Sequence, residues 1–357
     1  MGWRSNGPAR PAGGRRPALP VRAVRGVGRG LARAIAAGAA LVVFFGVVYV
    51  VDVLASEQLL PTVPPRALIA HGSQPCAEAS LALVTASGAG RQTSYEMGDL
   101  LADIARDYDA CVVVLDYGTV MNTRGNVDAV LAVALAGRPA AAAPLPLVLL
   151  GNSTGGIEVQ RQANLLHTGH ADRVRVVAVV ADSTPAGVAD LKPAFTQDLA
   201  HNCGVPLGHF LGQNIVRLWQ AYEEAARRNE DLRDAAVRER IQLNTEKMQA
   251  KLTLSQLCLI REGYPRANAA TPAAGVPHVY VRPADEDADE VVRDAQAAAE
   301  IDRLLGGGLE IVQVPGGIHA AAYLLWPTYE PVYRAIVHRA WVTAHPPADT
   351  PLRQRPL

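Results

Sequence analysis

The chain has 357 residues, of which 49% are hydrophobic and 19% are charged. This composition allows a sizeable core and excludes global disorder. The formal net charge is zero, which argues against a dedicated nucleic-acid-binding protein. The length suits one large domain or two ordinary ones.

The charge balance hides an asymmetry at the N-terminus. Residues 1–33 contain eight arginines and no acidic residue. Residues 34–51 carry no charge and, at about 1.5 Å per residue, would reach roughly 27 Å as a helix, near the thickness of a membrane's hydrocarbon core. This pattern predicts a basic cytoplasmic arm (1–33), a single-pass transmembrane signal anchor (34–55) in the cell membrane and an extracytoplasmic remainder. Cleavage of a signal peptide near Ala55, which would secrete the chain, is the alternative.

The rest of the chain divides into a proline-containing linker (56–66), a soluble domain (67–345) and a flexible tail (346–357). Outside the cytoplasm, Cys203 and Cys258 could form a disulfide, whereas Cys111, within a predicted buried strand, is expected to be an inert core residue. The sequence contains no CxxC pair, phosphate-binding loop or dinucleotide fingerprint. It therefore predicts no metal and no cofactor.

Short apolar runs alternate with amphipathic segments along the soluble domain. The runs predicted as strands are Ala67–Ala70, Cys111–Leu115, Leu145–Leu150, Val174–Val180, Val276–Pro283 and Leu309–Val314. The segments predicted as helices include Glu96–Asp107, Asn126–Leu135 and Val292–Leu305. Strands alternating with helices predict an α/β fold with a mostly parallel central sheet and helices on both faces.

The strand Leu145–Leu150 runs directly into a glycine-rich turn that carries Ser153. Gly151 and Gly155, two positions before and after the serine, allow a tight strand-to-helix turn, and Gly156 extends the pattern. A serine on such a turn projects its hydroxyl from the carboxyl end of the sheet. The pattern therefore indicates a nucleophilic serine.

Two backbone N–H groups are candidate donors to an oxyanion near Ser153. Thr154 is expected to be the first residue of the following helix, and the helix dipole favours negative charge near its N–H. The N–H of Ser73 follows the predicted strand Ala67–Ala70, whose end we expect at the same edge of the sheet.

Residues from about 200 to 262 break the alternation of strands and helices. Acid–base pairs four residues apart indicate helices, for example Glu223 with Arg227. This segment is predicted to be a helical cap, inserted as a lid above Ser153.

After the cap, the last two strands each lead into polar residues. The strand Val276–Pro283 precedes five acidic residues, which are Asp285, Glu286, Asp287, Asp289 and Glu290. The strand Leu309–Val314 leads into a glycine-rich loop with His319. Parallel strands end at one edge of the sheet, so His319 is expected on the same side as Ser153.

The order of these motifs resembles the α/β-hydrolase superfamily over about residues 66–340. By that resemblance Ser153 would be the nucleophile, His319 the general base and acid, and a carboxylate after the penultimate strand their partner. Asp287 is the first choice for this carboxylate, with Asp285 and Asp182 as alternatives. Asn152 occupies a position that often holds histidine or another large residue in that superfamily.

The resemblance implies a serine hydrolase acting on a small-molecule or lipid-like acyl ester, attached to the membrane through its N-terminal helix. An acyltransferase or thioesterase would use the same triad with a different acceptor or acyl donor. A non-catalytic binding protein of the same fold is the alternative from another class of function.

Overall fold

The computed structural model describes residues 35–51, 63–88, 92–201, 203, 250–266 and 276–346. The strands of its single sheet are β1 (Arg66–Ile69), β2 (Leu81–Ala86), β3 (Ala110–Asp116), β4 (Leu145–Asn152), β5 (Val174–Asp182), β6 (His278–Pro283) and β7 (Leu309–Val314). The helices are α1 (residues 35–51), α2 (Gln92–Asp107), α3 (Thr123–Ala134), α4 (Thr154–His170), α5 (Ala194–His201), α6 (Ala250–Glu262), α7 (Asp294–Leu305) and α8 (Trp326–Ala344).

The seven strands lie in the order β1-β3-β2-β4-β5-β6-β7. Every neighbouring pair is parallel except β1 with β3, which is antiparallel. The fold is therefore α/β with a mostly parallel sheet. The carboxyl ends of β2 to β7 all open at one edge, where ligands bind in open sheets of this kind.

Helices cover both faces of the sheet, and strand periodicity explains how the core divides between them. On β2, Leu81 and Leu83 pack with α2 and α8, whereas Ala82 and Val84 pack with α3 and α4. Because successive side chains of a strand point to opposite faces, a strand buried on both sides must be apolar throughout. This accounts for the uninterrupted hydrophobic runs of the central strands.

The sequence pattern predicted six of the seven strands and missed β2. The prediction for Leu309–Val314 matches β7, and β4 and β5 begin where the pattern placed them. The short run of β2 is followed by Ser87 and Gly88, and the small residues Ala82 and Ala86 weaken its apolar signal. It nevertheless occupies the position between β3 and β4.

The direction of β1 corrects an expectation for the loop that follows it. Because β1 runs antiparallel to β3, its carboxyl end lies at the edge where β3 begins. Ser73 confirms this placement, since its Oγ accepts a hydrogen bond from the N–H of Val112 at 2.8 Å. The loop after β1 is thus on the opposite edge of the sheet from the end of β4.

All four cysteines are paired, as Cys76–Cys111 and Cys203–Cys258, with Cα–Cα distances of 5.1 and 5.3 Å. The second pair is the one that the sequence suggested. Cys111, expected to be an inert core residue, is buried in the core as expected but is bonded to Cys76. It is the second residue of β3, and its side chain and that of Cys76 share one hydrophobic cluster.

Two predicted segments fall partly or mostly outside the described residues. Of the predicted anchor 34–55, α1 covers 35–51, and none of the described helices combines the length and apolar character needed to cross a membrane. Of the predicted cap, the described part consists of α5, Cys203 and α6. The remaining residues of both segments are outside the described part of the chain.

Candidate active site

The turn between β4 and α4 holds Ser153 in a strained conformation, with φ 51° and ψ −126°. Positive φ is rare for residues other than glycine and is typical of functional turns. A Cβ on Gly151 would collide with the carbonyl of Gly155, and a Cβ on Gly155 would collide with the carbonyl of Ala86. The glycines of the motif are therefore required by the close approach of the backbones.

This conformation also releases the serine hydroxyl for chemistry. Ser153 stands at the N-cap position of α4, where a serine side chain commonly accepts a hydrogen bond from the first helical turn. Here the side chain makes no such bond. Instead its Oγ lies 3.2 Å from Nε2 of His319.

His319 lies on the loop after β7 and connects Ser153 with an aspartate. Its Nδ1 is 2.7 Å from Oδ2 of Asp289. A carboxylate only accepts hydrogen bonds, so Nδ1 carries the ring hydrogen and Nε2 is left to accept the Ser153 hydroxyl. The loop that carries His319 is held in place by the Tyr329 hydroxyl, which donates to the carbonyl of Ile318 at 2.8 Å.

Asp289 is fully buried and its two oxygens have separate partners. Oδ1 accepts from the N–H groups of Val291 and Val292 at 2.8 and 2.7 Å, and Oδ2 faces His319. Burial alone would raise the pKa of this carboxyl. The bonds from His319 and from the backbone outweigh that effect and hold the pKa below its usual range.

The aspartate on His319 is therefore not the one chosen from the sequence. Asp287 and Asp285 are both exposed, and Asp285 accepts a hydrogen bond from the N–H of Asp287 at 3.1 Å. They belong to a short 3₁₀ turn (Glu286–Ala288) and its cap, which carry their side chains towards solvent. The turn returns the chain to the core at Asp289.

Asp182, the third alternative, serves the site in another way. Its carboxylate accepts from the Tyr333 hydroxyl at 2.9 Å, and its carbonyl accepts from the N–H of Ser153 at 2.7 Å. Burial raises the pKa of the Asp182 carboxyl to about 7. Asp182 thus fixes the serine turn through its backbone, while His319 is hydrogen bonded to Asp289.

The two candidate oxyanion donors have different outcomes. Thr154 is the first residue of α4, directly after Ser153, where helical N–H groups lack an acceptor within the helix. Ser73 lies at the opposite edge of the sheet, as described above, so it is not a donor at this site. The predicted position of Ser73 was wrong because the sequence pattern does not reveal that β1 is antiparallel to β3.

The loop that adjoins Ser153 is instead the one after β2. A Cβ added to Gly88 would lie 2.6 Å from Cβ of Ser153, so only glycine fits there without a shift. The carbonyl of Ser87 accepts from the Tyr117 hydroxyl at 2.8 Å, and that of Gly88 accepts from Nε2 of Gln256 at 2.5 Å. These donors fix the orientation of the loop beside the serine.

Asn152 joins this loop to the histidine loop. Its Oδ1 accepts from the N–H of Gly88 at 2.9 Å, and its Nδ2 donates to the carbonyl of Ala320 at 3.4 Å. One amide side chain therefore connects the serine turn with the two loops on either side of it. The sequence drew attention to Asn152 only as an unusual residue beside the nucleophile.

Within the described residues, no group of three or more His, Cys, Asp or Glu side chains is arranged to hold a metal ion. A hydroxyl, an imidazole and a carboxylate in sequence can activate the hydroxyl as a nucleophile and return its proton to a leaving group.

The structure is similar to solved α/β enzymes at low sequence identity. A carboxylesterase of the thaumarchaeon Nitrososphaera gargenis is 14% identical, with a TM-score of 0.49, 78% of this chain and 98% of that chain covered. A type II thioesterase of the borrelidin biosynthetic cluster is 12% identical, with a TM-score of 0.48 and coverage of 76% and 98%. A proline iminopeptidase of Mycobacterium smegmatis is 15% identical, with a TM-score of 0.44 and coverage of 80% and 99%. No protein-family model and no curated protein matches the sequence.

Proposed function

We propose that the protein is a serine hydrolase of the α/β-hydrolase superfamily that cleaves carboxylic esters through an acyl-enzyme. The observation that carries the proposal is the position of the His319 ring, 3.2 Å from the Ser153 hydroxyl on one side and 2.7 Å from the Asp289 carboxylate on the other. This geometry suits transfer of the Ser153 proton to His319, with Asp289 orienting the ring and stabilising its positive charge.

In the first step Oγ of Ser153 attacks the ester carbonyl carbon and its proton passes to Nε2 of His319. The negative charge on the carbonyl oxygen is stabilised by the N–H of Thr154. His319 then protonates the alkoxide as the C–O bond breaks, which leaves an acyl-serine. Asp289 stabilises the imidazolium that forms in between.

In the second step water repeats the attack on the acyl-serine. His319 takes a proton from the water, the tetrahedral intermediate collapses, and the proton returns to Oγ of Ser153 as the acid leaves. An acyltransferase would use an alcohol or amine here instead of water, and a thioesterase would start from a thioester. Product analysis distinguishes these from an esterase.

The acyl group of the substrate is proposed to be apolar. Ile318, beside His319, is 41% exposed, and Val120, on the loop after β3, is 39% exposed. Both lie at the edge of the sheet where Ser153 emerges. Exposed aliphatic side chains on loops at this edge favour hydrocarbon over charged groups.

The chain is proposed to work outside the cytoplasm, attached through residues 34–55 or released after cleavage. The two disulfides support an oxidising compartment, because disulfides are rare in the cytosol. Protease added to intact cells should degrade the soluble domain if this location is right. Protection of the domain from the protease would place it on the cytoplasmic side of the membrane instead.

The test of the activity is labelling of the full chain with a fluorophosphonate probe, which reacts with activated serines. The wild type should be labelled, and Ser153→Ala and His319→Ala should not be. The matched control is Ser80→Ala, because Ser80 precedes β2 at the opposite edge of the sheet. Absence of labelling in a folded wild type would favour a non-catalytic binding protein.

A further inference from the structure

Beside the proposed triad lies a second buried aspartate to which the mechanism above gives no role. Asp294 is the first residue of α7 and is fully buried, like Asp289. Asp294 follows Asp289 by five residues, and the two carboxyl groups are close enough to shift each other's pKa. Two carboxylates in contact repel, so such a pair is stable only when a proton lies between them.

The partners of Asp294 show which of its oxygens carries the proton. Its Oδ1 is 2.7 Å from the Tyr280 hydroxyl, whose one hydrogen is shared between Oδ1 and the carbonyl of Thr184, 2.9 Å away. Among the described residues, no N–H or O–H group donates to its buried Oδ2. A buried acceptor without a donor is costly, whereas a protonated Oδ2 becomes a donor and needs only an acceptor. Asp289 is that acceptor.

Asp289 has one place left for such a donor. Two of its hydrogen bonds come from the N–H groups of Val291 and Val292, and a third comes from His319. A carboxylate has about four lone-pair sites. A hydroxyl from Asp294 therefore completes the set around Asp289.

From this geometry we infer that Asp294 is a positioning residue, whose protonated carboxyl donates a hydrogen bond to Asp289 and so fixes the orientation and basicity of the carboxylate that holds His319. The inference rests on the proposed function, because it gives Asp294 a role through the triad. The chain of donors runs from Tyr280 through Asp294 to Asp289, where it meets the hydrogen bond from His319.

The electrostatic surroundings agree with a neutral Asp294. Burial, followed by the charge of Asp289, raises the pKa of Asp294 well above its usual range. The other titratable groups that face the pair are His319, Asp182 on β5, Tyr280 on β6 and Tyr329 on α8. All of them are unchanged in the variants below.

The decisive variants are Asp294→Asn and Asp294→Leu. The asparagine keeps a donor towards Asp289 and an acceptor for Tyr280. The leucine is similar in size, removes the donor and leaves no room for water. Without the donor, the charge of Asp289 is concentrated on His319, which favours the imidazolium and removes the base at neutral pH.

We expect Asp294→Asn to be labelled by the fluorophosphonate probe within about threefold of the wild-type rate at pH 7. We expect Asp294→Leu to react at least tenfold more slowly, in the range typical for loss of an outer-shell partner. The acidic limb of the pH–rate profile of Asp294→Leu should lie about one pH unit higher than that of the wild type. Asp190→Asn is the control, because Asp190 is buried but accepts from Ala186 and Gly187, away from His319.

A second readout does not depend on activity. The downfield NMR signal of the His319 Nδ1 proton should keep its position in Asp294→Asn and move in Asp294→Leu. An unlabelled wild type would refute the proposed function, while this signal would still decide the role of Asp294. Asp294→Ala, which cannot overfill the site, replaces the leucine variant if circular dichroism shows that the latter is unfolded.

Two results would overturn the inference. One is an asparagine variant as slow as the leucine variant, which would mean that the donor is irrelevant. The other is a folded leucine or alanine variant with the wild-type acidic limb and an unmoved His319 signal.

Discussion

Oδ2 of Asp289 accepts the hydrogen bond from Nδ1 of His319, while Asp287, two residues earlier, is exposed. Asp289→Asn should therefore lower kcat by about 10⁴-fold, the loss expected when the histidine is held in the wrong tautomer. The amide oxygen of the variant would have to accept from Val291 and Val292, so its NH₂ group would face Nδ1. His319 would then carry its hydrogen on Nε2 and could not accept from Ser153.

The matched control for that variant is Asp287→Asn, which makes the same chemical change at an exposed position. It should leave kcat and KM within about twofold of the wild type, as surface substitutions usually do. Steady-state hydrolysis of a short p-nitrophenyl ester gives both constants. A large loss in Asp287→Asn with little effect of Asp289→Asn would show that the acidic loop rearranges in solution.

Asn152 is expected to matter for rate more than for binding. Asn152→Ala removes both links, to Gly88 and to Ala320, and lets the loops beside Ser153 move by small amounts. Such misplacement should lower kcat by about 10- to 100-fold with little change in KM. Asn164→Ala, on the same helix that Ser153 precedes, is the comparison, and a loss of equal size there would argue against a role in positioning.

Asp182 should make the fold less stable as pH rises. Its carboxyl has a pKa of about 7 in the folded state, raised by burial, against roughly 3.9 in an unfolded chain. Between these values the native state holds a proton that the unfolded chain has released, so the free energy of unfolding falls as pH rises through this window. Above about pH 7 Asp182 is ionised in both states, so its contribution to the free energy of unfolding no longer changes with pH.

Asp182→Asn cannot ionise and should escape this loss while it keeps the bond from Tyr333. Relative to the wild type, its free energy of unfolding should be higher at pH 8 than at pH 4 by on the order of 3 kcal/mol. Urea unfolding at both pH values measures the difference. Asp172→Asn, at an exposed position, should show no such trend, and a pH-independent difference for Asp182→Asn would refute the assignment.

The disulfide Cys76–Cys111 should stabilise the edge of the sheet that is remote from Ser153. It joins residues separated by 35 positions, and closing a loop of that size is worth about 3 to 4 kcal/mol in the chain-entropy model. The double variant Cys76→Ser with Cys111→Ser should lose about this much stability and keep its kcat. Thiol counting on the denatured wild type should find no free thiol before reduction, and any free thiol would contradict the pairing.

The part of the site that could be predicted from sequence is the part coded by local pattern. A hydrophobic strand followed by glycines identifies Ser153, and the same pattern after the last strand identifies His319. The strain and the close contacts at the serine turn depend on those few residues, so a short stretch of sequence carries the information.

The acid and the oxyanion loop depend instead on how distant segments pack. Five acidic residues follow β6, and only the fold shows that a 3₁₀ turn exposes Asp287 and buries Asp289. The antiparallel direction of β1 is decided by its pairing with β3, some 50 residues away. Neither feature leaves a local signal, which is why Asp289 was not chosen and Ser73 was misplaced.

The N–H of Ser153 donates to the carbonyl of Asp182, so Ser153 is attached to the central strands of the sheet. His319, by contrast, lies on a loop near one end of the sheet. On heating, local opening should therefore separate the histidine from the serine before the sheet melts. Activity should then disappear several degrees below the calorimetric transition and return on cooling. Simultaneous loss of activity and structure would mean that the histidine loop is as stable as the core.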